Sequence, residues 1–132
     1  MLEYLSPAWI EALDEAARGD AELTEACGPD GLRLRQEITG TSRGDVAYTV
    51  TLTNDGARVV ENDTATPDVT MRQTFDVAAA IYRGELHALD AVQHGGVKLH
   101  GDASLLRAHD AALRAFQKAT ASVRAATTPP GP

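Results

Sequence analysis

The sequence predicts an α+β fold in which helices pack on one face of a five-stranded mixed sheet. Apolar residues recur with a period of 3.6 near both ends of the chain, as in amphipathic helices. Between Leu32 and Glu61 the period is 2, as in half-buried strands. A chain of 132 residues is the length of one compact domain. We therefore expect a three-strand antiparallel meander and a β-α-β crossover, with an N-terminal and a C-terminal helix.

The first predicted element is a helix. Ser6 is placed to cap its first turn, Pro7 suits the first helical position, and Gly19 ends the pattern. A second short helix is predicted over residues 20–26, before a Gly-Pro-Asp-Gly turn. The apolar face of the first helix, which should pack on the sheet, consists of Trp9, Ile10, Ala12, Leu13, Ala16 and Ala17.

The net charge of −7 disfavours binding to nucleic acid or to anionic membranes. Residues 1–31 hold eight acidic residues and one basic residue, Arg18. We interpret this excess as a solvated helix face, although an acidic surface for a protein partner, or a homodimer, stays open. No apolar run approaches the ~18 residues of a membrane span, and Glu3 stands where a signal peptide carries a basic residue. The sequence therefore predicts a cytoplasmic protein without membrane insertion.

Four strands are predicted next. The first runs from Leu32 to Thr39 and the second over residues 46–53. The turn Asn54-Asp55-Gly56 leads to a third strand near residues 58–61, which completes the antiparallel meander. A fourth strand is predicted over residues 68–73.

Helices should connect this fourth strand to a fifth. Thr74 is a predicted helix cap and Gly84 a predicted helix end. Another short helix is expected over residues 86–92, and the fifth strand over residues 97–100. A helical connection of this length is typical of a right-handed crossover, so we expect the fourth and fifth strands to be parallel.

The longest predicted helix follows Asp102 and covers residues 103–125 without a break. Leu106, Leu113 and Phe116 lie on its apolar stripe. Residues 127–132 contain three prolines and little apolar surface, so they should form a disordered tail. One domain over residues 1–126 is therefore expected.

The sequence carries no phosphate-binding loop, nucleophile elbow or zinc-protease motif. The single cysteine, Cys27, is expected in the core. His87, His94, His100 and His109 lack the helical spacing of metal ligands. We therefore predict no catalytic residue, no metal and no cofactor, with a histidine-dependent enzyme as the weaker alternative.

Two polar residues interrupt apolar faces. Gln36 is in phase with Leu34 and Ile38, and His109 lies within the stripe of the last helix. A buried polar group without a partner costs about 1–3 kcal/mol. Each residue therefore either makes an internal hydrogen bond or points into a ligand cavity, and both alternatives remain open.

The second half of the chain resembles a known family. The matching segments are Asp68-Val69-Thr70-Met71, residues 82–86 (Tyr-Arg-Gly-Glu-Leu), residues 90–95 (Asp-Ala-Val-Gln-His-Gly) and residues 96–102 (Gly-Val-Lys-Leu-His-Gly-Asp) ahead of a long helix. They resemble the lipid-binding domain family of sterol carrier protein type 2, in its bacterial single-domain form. The resemblance covers about residues 32–116.

The resemblance implies a non-enzymatic domain that holds a sterol, fatty acid, acyl-CoA or similar lipid in an apolar tunnel between sheet and helices. The chain ends in Pro-Pro-Gly-Pro, where peroxisomal members carry a targeting tripeptide, so no peroxisomal address is expected. The alternative is an accessory or protein-interaction module with a filled core. The side chains expected to contact the ligand are Leu34, Gln36, Tyr48, Val50, Met71, Ile81, Tyr82, Leu86, Val92, Leu106, His109, Leu113 and Phe116.

Overall fold

A computed structural model describes residues 1–128, apart from the side chain of Leu89. Residues 129–132, which belong to the predicted disordered tail, lie outside the described residues. The elements in chain order are β1 (Leu2–Glu3), α1 (Pro7–Arg18), α2 (Ala21–Ala26), β2 (Leu32–Thr41), β3 (Gly44–Thr53), β4 (Gly56–Glu61), β5 (Val69–Thr74), α3 (Phe75–Tyr82), α4 (Ala88–Gln93), β6 (Val97–Gly101), α5 (Ser104–Ala108), α6 (Asp110–Ala119), α7 (Ala121–Ala125) and β7 (Thr127–Thr128).

The main sheet has five strands in the order β4-β3-β2-β5-β6, which confirms the predicted fold class. β2, β3 and β4 form the predicted antiparallel meander. Leu34 of β2 lies opposite Val50 of β3 and opposite Val69 of β5. Because side chains alternate between the faces of a sheet, this register brings the apolar residues of neighbouring strands onto one side, under the helices.

The predicted direction of the last strand is wrong. β5 and β6 are antiparallel, with Gln73 opposite Val97, whereas the parallel pair is β2 with β5. Two helical segments, α3 and α4, connect β5 to β6, and Gly84 has a positive φ of 77° between them. A single crossover helix would return the chain to the start of β5. With two segments that reverse direction at Gly84, the chain returns to the end of β5, so β6 runs the opposite way.

Helix α1 packs along the edge strand β4. Asp14 is 7 % exposed, and its carboxylate accepts hydrogen bonds from the Val59 amide at 2.7 Å and from Arg58 at 2.9 Å. Burial alone would raise the pKa of Asp14, but these two hydrogen bonds and the positive charges of Arg58 and Arg18 together outweigh burial and hold the pKa below its usual value. The carboxylate thus accepts the hydrogen bond of a backbone amide on the edge strand β4, and that amide is no longer free to pair with another strand.

The long C-terminal helix is broken, contrary to expectation. His109 separates α5 from α6, and Thr120 separates α6 from α7. The Thr120 hydroxyl donates to the Phe116 carbonyl at 2.8 Å, a backbone interaction that bends helices. The second break lets α7 contact α1.

The structure also differs at the start of the predicted tail. Thr127 pairs with Leu2, which joins β7 to β1 as a short parallel pair. Thr127 is 2 % exposed, and its hydroxyl donates to the Val123 carbonyl. Thr127 and Thr128 therefore belong to the folded structure. Pairing with Leu2 and Glu3 gives hydrogen-bond partners to their backbone groups, which a disordered tail would expose to water.

Candidate functional site

A cavity of about 450 Å³ lies between the inner face of the main sheet and the helices above it. Strands β2, β3, β5 and β6 form its floor, and α1, α3, α6 and α7 contribute its walls. Its rim reaches the surface near Ala88 and Gln117, which are exposed. The cavity is lined by Tyr4, Trp9, Leu13, Leu34, Gln36, Ile38, Tyr48, Val50, Met71, Gln73, Ala78, Ile81, Tyr82, Ala88, Val97, Leu113, Phe116, Gln117, Thr120 and Arg124.

The floor of the cavity follows from the alternating pattern of the strands. Gln36 is in register with Tyr48 on β3 and with Met71 on β5, so these three side chains form one row across the sheet. Ile38 and Gln73 form part of the next row along the strands, which continues to Val97 on β6. The predicted candidates that line the cavity are Leu34, Gln36, Tyr48, Val50, Met71, Ile81, Tyr82, Leu113 and Phe116.

Four predicted candidates lie elsewhere. Leu106 precedes the helix break, and His109 forms the break itself, so neither continues the stripe of Leu113 and Phe116. Leu86 lies between α3 and α4, and the buried residue of α4 is Ala91 rather than Val92. These differences arise because a single straight helix was assumed at the C-terminus and the orientation of α4 depends on its packing against β6. The four residues are half-buried but do not contact the cavity.

Aromatic rings form one end of the cavity. The ring of Tyr4 lies 4.4 Å from that of Tyr82 and 5.1 Å from that of Trp9, measured between centroids. Trp9 also lies edge-on to Tyr48 at 5.7 Å. We define Tyr4, Trp9, Tyr48 and Tyr82 as the aromatic wall. The sequence did not indicate Tyr4, because it precedes the first helix in a segment without periodicity.

The aromatic wall carries buried polar atoms. Trp9 Nε1 and the Tyr82 hydroxyl have no hydrogen-bond partner among the described residues. Burial raises the pKa of Tyr48 and of Tyr4, so both phenols are neutral at physiological pH. This end of the cavity therefore offers neutral hydrogen-bonding groups on an apolar surface.

The Gln36 side chain lies on the cavity floor and is hydrogen-bonded there. The Gln73 amide donates to Gln36 Oε1 at 2.9 Å, and Gln36 Nε2 donates to Met71 Sδ at 3.6 Å. Gln36 also lines the cavity. Both alternatives therefore hold for this residue, since it makes an internal hydrogen bond and also faces the cavity. The pair of amides adds a polar strip to an otherwise apolar floor.

Tyr4 also lines a second, surface cleft of about 580 Å³, together with Phe75, Arg43 and Thr128. The Arg43 guanidinium donates to the Leu5 carbonyl at 2.6 Å, which fixes the N-terminal segment across this cleft. The Tyr4 side chain therefore lines both spaces and separates the cavity from the cleft.

Metal-ligand clusters and membrane-spanning helices are not found in residues 1–128. No group of three or more His, Cys, Asp or Glu side chains in that part of the chain is arranged to hold a metal ion. No described helix is long and apolar enough to cross a membrane. Within the described lining of the cavity there is no histidine.

Comparisons with known proteins agree with this architecture. The sequence pattern of the SCP-2 sterol transfer family matches residues 13–114. A crystal structure of sterol carrier protein 2 superposes with a TM-score of 0.66 and 19% identity, covering 92% of this chain and 98% of that one. A conserved hypothetical protein from Thermus thermophilus superposes with a TM-score of 0.67 and 20% identity, covering 99% and 94%.

A third solved structure is sterol carrier protein 2 like 2 from Aedes aegypti, with a TM-score of 0.52 and 25% identity over 83% of this chain and 92% of that one. A comparison with curated proteins found no significant match. The structural matches establish the fold, and the family match extends from within α1 into α6.

Proposed function

This chain belongs to the SCP-2 sterol transfer family, and we propose that it binds and carries a sterol, fatty acid, acyl-CoA or similar lipid without catalysing a reaction. The observation that carries the proposal is the cavity of about 450 Å³ between sheet and helices. We further propose that residues 1–126 act as one lipid-binding domain. The cytoplasmic location expected from the sequence remains a prediction.

The composition of the lining supports this function. Most of the lining side chains are aliphatic or aromatic, including Leu34, Val50, Met71, Ile81 and Phe116. Each methylene group that moves from water to such a surface contributes about 0.8 kcal/mol. Because an alkyl chain needs no specific polar contact, affinity can come from burial alone, and the few polar groups can orient the ligand.

The cavity also favours a carrier over the alternative of an interaction module with a filled core. Protein interiors are close-packed, with few voids larger than a water molecule. Apolar side chains around an open cavity stay in contact with water, so the fold forgoes about 25 cal/mol for each Å² of apolar surface that is not buried. An apolar space of several hundred Å³ is therefore expected where a ligand replaces the missing contacts.

Native mass spectrometry of the purified protein, followed by displacement of a bound fluorescent fatty acid, tests the proposal. We expect a co-purifying lipid mass or, in delipidated protein, one probe per chain that unlabelled lipids displace. Protein that carries no lipid and binds no probe would contradict the carrier function. Lipid-independent capture of a protein partner would then favour the interaction module.

A further inference from the structure

Among the described residues, the lining of the cavity contains one charged side chain, Arg124, and no acidic one. This is unexpected in a protein of net charge −7, because acidic residues outnumber basic ones over the whole chain. Arg124 is half-buried on α7, beside the exposed rim residue Gln117. A cation therefore lies at the boundary between the apolar cavity and solvent.

The hydrogen bonds of Arg124 leave part of its guanidinium unused. Nη1 donates to Gln117 Oε1 at 3.0 Å and to the Thr120 hydroxyl at 3.2 Å, and Nη2 donates to the Gln117 carbonyl at 2.6 Å. A guanidinium has five N–H donors, so Nε and one hydrogen of Nη2 have no acceptor among the described residues. All three acceptors are neutral, and residues 1–128 supply no carboxylate within ion-pair distance of Arg124.

These contacts also orient the side chain. Two bonds to Gln117 and one to Thr120 hold the guanidinium in one place, so a ligand would lose little conformational entropy of the arginine on binding. Nε–H and Nη2–H can together hold two oxygens of a carboxylate or phosphate, which is the strongest hydrogen-bonding mode of arginine. At the rim, such a head group stays close to water while its alkyl chain lies in the cavity.

We propose that Arg124 is a specificity-determining residue that selects ligands with a single alkyl chain and an anionic head group over uncharged lipids. The inference rests on the proposed carrier function and narrows it to one ligand class. Arg124 lies beyond residues 13–114, the part of the chain that matches the family pattern. The selectivity is thus assigned to a residue outside the part of the sequence that the family pattern matches.

The test compares three ligands of equal chain length, dodecanoate, dodecyl phosphate and dodecanol, by displacement of an uncharged fluorescent probe from the full chain. We expect wild-type protein to bind an anion about tenfold more tightly than the alcohol, the lower end of the range for hydrogen bonds to charged groups. The two anions distinguish a carboxylate from a phosphate as the preferred head. Arg124→Gln should abolish the preference, and Arg124→Lys should keep part of it because the charge remains.

The matched control is Arg114→Gln. Arg114 lies on α6, is 81 % exposed and pairs with Asp110 outside the cavity, so its loss should leave the anion preference unchanged. Equal binding of anion and alcohol by the wild type, or an unchanged preference in Arg124→Gln, would overturn the role of Arg124 but leave the carrier function standing. Failure of every ligand and of the probe to bind would overturn both. If Arg124→Gln does not fold, the wild-type preference decides the inference.

Discussion

Two alanines on different helices provide the sharpest test of the cavity. Ala78 on α3 is 4 % exposed and Ala112 on α6 is 2 % exposed, and both belong to the hydrophobic core, but of the two only Ala78 lines the cavity. The same change to phenylalanine should therefore have opposite effects. At Ala78 the ring enters empty space, and at Ala112 it meets side chains that are already in contact.

The expected magnitudes follow from these positions. Phenylalanine lowers helix propensity by less than ~1 kcal/mol relative to alanine, which limits the stability loss of ligand-free Ala78→Phe. Exclusion of two methylene groups of a ligand would cost about 1.6 kcal/mol, more than a tenfold loss of affinity. Ala112→Phe should destabilise by roughly 1–3 kcal/mol through overpacking, or about 4–12 °C in melting temperature.

The assay combines thermal unfolding of delipidated protein with titration of a fluorescent fatty acid. We expect Ala78→Phe to lose binding at a nearly unchanged melting temperature, and Ala112→Phe to melt earlier while its folded fraction still binds. If Ala78→Phe melts as early as Ala112→Phe and binds the probe with wild-type affinity, side chains fill the space beside Ala78 and the cavity does not hold the ligand.

Three further predictions concern other parts of the molecule. Tyr4→Ala should join the cavity to the surface cleft of about 580 Å³, so a displacement series of fatty acids should show a preference for longer chains than in the wild type; an unchanged preference would contradict the shared wall. Asp14 has a lowered folded-state pKa, so its stabilisation should be fully present above the unfolded-state pKa of about 4 and lost as the pH falls below that value through the lower folded-state pKa. Urea unfolding should show Asp14→Asn to be less stable than the wild type by about 1–3 kcal/mol at neutral pH, with a smaller difference near pH 3. A difference that does not depend on pH would show that the ionised carboxylate of Asp14 is not what stabilises the fold. Replacing Glu11, Glu15 and Glu22 with glutamine should change the unfolding free energy by ~0.5 kcal/mol or less for each residue, because all three are exposed. A larger loss would show that these charges stabilise the fold.

Much of the cavity floor was predictable from the sequence. The alternation of Leu34, Gln36 and Ile38 determines which side chains share a face of β2. A turn at Asn54-Asp55-Gly56 similarly identifies β3 and β4 as neighbours. These inferences depend on local geometry, which repeats every two residues and requires no knowledge of distant contacts.

The remaining features depend on contacts between distant residues. Tyr4 has no periodic neighbours, yet the pairing of Leu2 with Thr127 and the bond from Arg43 to the Leu5 carbonyl place its ring in the cavity wall. Arg124 reaches the rim because the chain bends at Thr120. A helical wheel cannot show this bend, since it assumes one straight axis.

By itself, the sequence determined the strand and helix types, the inner faces of the strands and the resemblance to the family. The tertiary structure decided the antiparallel direction of β6, the breaks in the C-terminal helix and the contribution of both chain ends to the cavity. The physical reason is the range of the interactions. Periodicity and capping act within a few residues, whereas strand direction and the shape of a cavity are set by which distant surfaces pack together.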